Sequence, residues 1–239
     1  MTTMAEDQSI LGPDDWAFPA ETLAFLRGLQ ADNTRESFAA NKAVYETAFR
    51  APAAAFSTQM AAALSKMTGT EHTAKVFRIH RDLRFSKDKT PYKTHFGLTW
   101  HRTKPEFRGG YYLHLKPDDI FLACGFWDPA PADLKRIRHE IDLDGEEYRN
   151  LINAPAFKNI WGELQGNKVR TSPKGYAKHH PDIDLLRLKQ HIFMIRYTEE
   201  EVTAKDFMNR LDAAIQAVRP FVDYMSAVLT TNANGESLV

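Results

Sequence analysis

One cysteine, Cys124, stands in 239 residues, so no internal disulfide is possible. A reducing, cytoplasmic setting is the expectation, not a disulfide-stapled secreted domain. No apolar run approaches the ~20 residues of a membrane-spanning helix. The opening MTTMAEDQSILGPDDW carries acids where a secretory signal would carry lysines ahead of an apolar core. No membrane partner is therefore expected. Also absent are a Gly-x-Ser-x-Gly elbow, a Walker loop, a dinucleotide glycine fingerprint and a Cys-x-x-Cys pair, and neither cofactor nor metal is expected. Repeats and low-complexity tracts are missing too. Lys+Arg and Asp+Glu both total 31, which excludes a global attraction to nucleic acid or anionic lipid.

That neutrality hides an asymmetry. Residues 1–74 carry 5 basic and 9 acidic side chains, residues 75–108 carry 10 and 3, and residues 109–239 carry 16 and 19. The middle segment also holds His80, His95 and His101. A neutral chain with one concentrated cationic stretch points to a local anion site more than to a broad basic surface.

Hydrophobic content of 43% suits an ordinary folded domain. Residues 1–16 lack periodicity and are expected to fray, as are 230–239. Leu23, Leu26 and Leu29 recur at helical spacing after Pro19. Asn33-Thr-Arg-Glu36 reads as an Asx cap with Glu three residues on. The helix behind it places Phe38, Tyr45 and Phe49 on one face. Phe56, Met60, Leu64 and Met67 continue at spacings of four and three until Gly69, so residues 19–68 read as an antiparallel helical pair. Strand alternation follows in 77–85 and 95–101. Two β-rich runs, 111–116 and 120–127, are joined by Lys-Pro-Asp-Asp. The Gly109-Gly110 pair lets the first of them start close to its neighbour. Helices return after Pro131, a polar loop covers 165–181, a strand 190–197, and a long helix runs from Thr203, with a kink expected at Pro220. The reading is a single α+β domain over 17–229, with a central antiparallel sheet on which the N- and C-terminal helices pack.

The segment 77–93 carries the chemistry. As a strand it would put Phe77, Ile79, Leu83 and Phe85 on one side and Arg78, His80, Asp82 and Arg84 on the other. Arg81 interrupts the apolar side, so the strand ends or bulges near it. Asp82 between two arginines would hold their guanidinium groups in place, leaving donors for a phosphate or carboxylate. The turn after it adds Lys87 and Lys89, and Tyr92 and Lys93 close it. The expected ligand site is thus Arg78, Arg81, Asp82, Arg84, Lys87, Lys89, Tyr92 and Lys93. His80 is the acid/base candidate should the protein be an enzyme, because imidazole titrates near neutrality. Two rival readings use the same residues. One is a nucleic-acid-associated module, supported by the interleaved aromatics. The other is an internal salt-bridge network that ties the hairpin down.

Other candidates carry less. His80, His95 and His114 would converge only if neighbouring strands align in register. His179 and His180 with Asp182 and Asp184 match no standard ligand spacing. Cys124 sits in an apolar run and reads as an inert thiol, and Ser86 as a turn residue. Lys168, Arg170, Lys174 and Lys178 form a second basic patch, in a loop long enough to act as a lid over the strand bearing Arg78 and Arg84.

The string from Phe77 to Thr94, FRIHRDLRFSKDKTPYKT, resembles the signature of domain-of-unknown-function family 2461. The likeness extends in order through Thr22-Leu-Ala-Phe-Leu26, Asn33-Thr-Arg35, Asn41-Lys42 with Tyr45, and Gly110-Tyr-Tyr-Leu-His-Leu115. It continues through Leu134-Lys-Arg-Ile-Arg138, Lys174-Gly-Tyr176 and the block from His180 to Lys189, covering roughly residues 17–229. Ser37 departs from the pattern, which leads one to expect tryptophan before Phe38, so local packing is expected to differ there. The resemblance implies a shared fold and carries no activity, cofactor or catalytic residue.

Overall fold

Apolar residues at helical spacing open the chain, and helices form there. The computed structural model describes residues 17–103, 109–231 and 236. In it α1 spans Ala20–Ala31, α2 Arg35–Ala40, α3 Lys42–Val44 and α4 Ala51–Thr68, with a π-helical turn Tyr45–Arg50 before α4. Strands β1 (His72–Val76), β2 (Phe96–Arg102), β3 (Gly110–Lys116) and β4 (Asp119–Phe126) follow. Next come α5 (Pro131–Asn153), α6 (Pro155–Trp161), α7 (Ile183–Leu186), β5 (His191–Tyr197), α8 (Glu199–Thr203) and α9 (Phe207–Thr230). The five strands make one antiparallel sheet in the order β1-β2-β3-β4-β5, so the expected α+β class is what forms. The expected frayed stretch 1–16 lies outside the described residues, as does most of 230–239 and of the 102–109 loop.

The chain divides into two compact units. The first runs to Leu98 and includes His114–Ile120 and Tyr197–Ala213; the second holds Thr99–Leu113, Phe121–Arg196 and the chain from Ala214 onward. In the first unit, Leu23, Leu26 and Leu29 of α1 are buried as their spacing predicts, together with Phe56, Met60, Leu64 and Met67 of α4. Aromatic rings bind these helices together. Phe18 meets Phe56 edge-on at 5.0 Å, and Phe49 meets Phe96 at 5.2 Å and 89°. Such edge-to-face pairs add about 0.5–1.5 kcal/mol each beyond their buried area. Gly69 ends α4 at φ 69°, its N–H closing on the Ser65 carbonyl. A side chain there would meet the left-handed strain that glycine avoids.

Two local expectations need correction. The cap of α2 is Thr34, whose hydroxyl accepts from the Ser37 N–H at 3.1 Å; Asn33 has another task, given below. The single helix expected through Phe38, Tyr45 and Phe49 is broken at Asn41 and widened to π geometry at Tyr45–Arg50. Phe38 and Phe49 are still buried, and Tyr45 stacks on Phe49 at 5.4 Å.

In the second unit, Phe193 of β5 packs edge-on against Phe157 of α6 at 4.7 Å and Phe221 of α9 at 5.2 Å. The Trp161 indole donates to the Ala214 carbonyl at 2.7 Å. Asp144 leaves helical geometry inside α5, so that helix is kinked there. Helix α9 continues through Pro220. A Cβ on Gly110 would lie 2.5 Å from the Trp100 carbonyl oxygen, so this glycine permits the close strand approach that its pairing with Gly109 suggested.

Ser37 borders a groove of about 290 Å³ that Phe25, Gly28, Leu29, Phe38 and Val44 also line. A tryptophan at this position has apolar surface to cover. Ser37→Trp is expected to raise stability by about 1–2 kcal/mol, seen as a higher midpoint in thermal unfolding; an unchanged or lower midpoint counts against this account of the departure.

A second prediction concerns acid. Tyr148 Oη lies 2.8 Å from His191 Nδ1 in the core, while His191 Nε2 meets no hydrogen-bond partner among the described residues. Burial, with Arg138 adding to it, pushes His191 down to about 3. The folded state therefore resists a proton that the unfolded chain takes up near 6.5. Stability from this group is complete above that value and declines as pH falls from 6.5 toward 3, by on the order of a few kcal/mol. His191→Gln should be less stable at pH 7 but show a flatter unfolding midpoint between pH 7 and 4. Parallel slopes for the two proteins would exclude His191 as the cause.

Candidate functional site

The strand expected over 77–85 does not form. Strand β1 stops at Val76, and only one further ladder contact, Phe77 N–H to Gly97 O at 2.9 Å, extends it. Beyond it the chain pairs with itself. Arg81 N–H donates to Pro91 O at 2.9 Å, Lys93 N–H donates to Ile79 O at 2.7 Å, and His80 faces Tyr92 in an antiparallel bridge. Residues 79–81 and 91–93 thus make a short clasp from which 82–90 project as a loop. The alternation fails where the clasp ends: Ile79 is buried, Leu83 is half-buried, and Phe85 is 94% exposed. Arg78, His80, Asp82 and Arg84 consequently share no sheet face.

Asn33 anchors the clasp. Its amide donates to Tyr92 O at 3.0 Å while its carbonyl accepts from Tyr92 N–H at 3.0 Å, so one side chain supplies both bonds that a neighbouring strand would make. The Tyr92 ring is buried and lies flat on Phe38, 4.1 Å away at 15°. Tyr92 therefore belongs to the core and offers no face to a ligand, which corrects the role expected for it. His80 is exposed, with its ring edge-on to Tyr92 at 5.2 Å and to Phe38 at 6.0 Å.

The basic side chains separate into two groups. Arg81, Arg84 and Lys89 bind the loop to itself. Arg81 bonds the Asp88 carboxylate and the Thr90 hydroxyl, and also reaches the Thr90 carbonyl at 3.3 Å. The Thr90 backbone N–H, Arg81 and the Thr90 hydroxyl together hold Asp88 at about 2. Arg84 grips Asp82 with Nε at 3.0 Å and Nη2 at 2.6 Å, which lowers the carboxyl and raises the guanidinium. Lys89 donates to Leu83 O at 3.0 Å. Arg78 and Lys87, by contrast, are exposed and make no ion pair among the described residues. Lys93 rests over the Phe77 ring at 5.3 Å, and burial followed by the nearby Arg78 lowers its affinity for a proton.

Two of the three histidines that register could bring together do meet. His95 and His114 stack at 4.6 Å and 27°, whereas His80 packs at the clasp. The alternation of β3 carried the signal, because His114 is out of phase with buried Leu113 and Leu115. Nothing in the sequence marked Asn33 as the anchor of a distant loop.

The front part of the second basic patch, with Lys168 and Arg170, is tied down. Residues 165–170 are zipped to 187–192 by bridges at Gln165–Ile192 and Lys168–Leu188. Arg187 adds bonds to the carbonyls of Val169 at 2.9 Å and Arg170 at 2.8 Å. Cys124 is buried, and burial raises its thiol far above the range in which a thiolate forms. No helix among the described residues is long and apolar enough to cross a membrane.

Asn33→Ala removes both bonds to Tyr92 and should cost about 1–3 kcal/mol. Its signature is local. Amide exchange of Arg81, Tyr92 and Lys93 should accelerate well beyond that of α4; uniform acceleration would mean that the clasp opens only with global unfolding.

A family model described as Conserved hypothetical protein (DUF2461) matches residues 21–224. No curated protein matches the chain.

Proposed function

The chain belongs to this family of conserved hypothetical proteins, and from the site itself we propose that it binds an anionic ligand, phosphate-bearing by preference, at the basic segment 78–93. One observation carries this reading. Lys87 projects from a loop clamped at both ends and Arg78 stands directly before the clasp; among the described residues neither makes an ion pair, although Arg78 is near enough to help lower the Asp82 carboxyl. Exposed cations that make no ion pair among the described residues are disposed for an arriving anion at little ordering cost.

Arg84 can join them. Its side chain is 77% exposed although paired, and exposed ion pairs are worth about 0–1 kcal/mol, so a phosphate can displace Asp82 from one arm of the fork. The internal-network reading accounts for Arg81, which is built into the loop, but gives Arg78 and Lys87 no ion pair among the described residues. Arg81 and Lys89 are then positioning residues, and Arg78, Arg84, Lys87 and Lys93 the contact residues.

A second reading, single-stranded nucleic acid, has its own support. Phe85 is almost wholly exposed, with the Arg84 guanidinium 6.0 Å from its ring. A bare aromatic beside arginine is what base stacking against a basic groove uses. His80 remains the acid/base candidate at the clasp if the bound ligand is also turned over.

These readings part in solution. Pyrophosphate binding measured by calorimetry should fall about tenfold or more in the double variant Arg78→Ala/Lys87→Ala, with the circular dichroism spectrum unchanged; undiminished binding would sink the proposal. In the nucleic-acid reading a fluorescent oligothymidine binds instead, Phe85→Ala costs about 1–3 kcal/mol, and log affinity falls linearly with log salt.

A further inference from the structure

Within the second unit, α5 and α9 run antiparallel and leave a groove between them. Near the start of α5, the Arg136 guanidinium donates to Leu229 O at 2.8 Å and Thr231 O at 2.9 Å, at the end of α9. Further along α5, Tyr148 meets Phe221 edge-on at 5.7 Å and Tyr224 at 6.2 Å. Two cavities, of about 680 and 730 Å³, lie along this line and share Glu147 in their walls. Leu143, Ala227 and Val228 line the first, and Leu151, Ala217 and Pro220 the second. Leu143 is 66% exposed, a leucine left in water beside apolar neighbours.

The charges along this groove are ordered. Lys135, Arg136 and His139 stand before Leu143, and Asp144, Glu146 and Glu147 stand after it. Asp144 breaks the helix, and its carboxylate accepts from Glu147 N–H at 2.9 Å. The two glutamates thus open a fresh helical turn, whose N–H groups favour negative charge. Lys135, His139, Glu146 and Glu147 make no ion pair among the described residues. Tyr224 lines the same groove, and its buried hydroxyl has no hydrogen-bond partner among the described residues. Rotation about a two-fold axis sets such an order of charge against its opposite. Two copies of α5 laid antiparallel beside Leu143 place the cations of each over the acids of the other and bring the leucines together. A purely basic partner would match the acids but leave Lys135 facing like charge.

We propose that the α5–α9 groove docks a second copy of this chain, through a two-fold axis beside Leu143 that sets Lys135 and His139 of each copy against Glu146 and Glu147 of the other. Leu143 of each copy covers the apolar part of the other's groove, and the paired α5 and α9 helices make a four-helix packing. Glu140 comes to lie near its own counterpart and opposes association. The interface uses no residue of the basic segment 78–93, so it stands or fails separately from the ligand reading.

Analytical ultracentrifugation of the full chain over a concentration series should show a reversible monomer–dimer equilibrium. Leu143→Asp should weaken it about a hundredfold, with the circular dichroism spectrum unchanged because this side chain is exposed. Lys135→Glu and Glu147→Lys should each weaken it about tenfold, and the double variant should regain most of the loss. These two positions stand about 18 Å apart along one helix, too far to pair within a copy, so rescue requires a mate. Glu140→Gln should tighten association. With Cys124 buried, Leu143→Cys should give a disulfide-linked dimer on mild oxidation, whereas the comparably exposed Trp127→Cys should not. A chain that stays monomeric at every concentration overturns the proposal and leaves the groove to a partner of another kind. A dimer indifferent to Leu143→Asp, a double variant no better than the single ones, or equal cross-linking of the two cysteines overturns it by placing the interface elsewhere.

Discussion

A carboxamide standing in for a strand is the constraint on which the basic segment depends. Asn33 follows α1, and its side chain completes the backbone hydrogen bonds of Tyr92, a residue far along the chain. Fixing Tyr92 fixes the ring that stacks on Phe38 and the bridge that faces His80. The loop can then be polar, exposed and rich in like charge without unravelling, because its ends are held by buried groups and its interior by Arg81. Stability is supplied at the base, and the charged side chains are displayed at the tip.

Crowded positive charge is the second theme of the first unit. Lys75 and Lys93 lie on one phenylalanine ring, Arg78 depresses Lys93, and Lys93 and Lys116 add to the burial that depresses His95. The carboxylates answer only some of these charges: Asp82 and Asp88 are drawn to Arg84 and Arg81, and Asp119 acts on His114. Such crowding opposes folding unless other interactions offset it, and here the aromatic contacts of Phe38, Phe49 and Phe96 lie in the same unit. Burial and charge act together on the imidazoles, which is why they differ from exposed histidines.

The failure of the expected strand is instructive. Alternation in FRIHRDLRF satisfied the period of a half-buried strand, but alternation only permits a strand and cannot supply its partner. Arg81 marked the interruption in the sequence, and the clasp turns there. What decided the outcome was pairing with residues 91–93 and with Asn33, neither of which has a local signature. The same limit applied to His95 and His114: their parity was legible, but their meeting required the register of β2 against β3.

Sequence alone determined the α+β class, the helix faces of α1 and α4, the glycine stop at Gly69 and the concentration of charge in residues 75–108, because periodicity, backbone permissiveness and charge count are properties of neighbours along the chain. Only tertiary structure decided which cations are occupied and which are unpaired, that Tyr92 faces the core while Phe85 faces water, and that two histidines stack. Those outcomes depend on partners distant in sequence, and no pattern read along one strand records which partner will arrive.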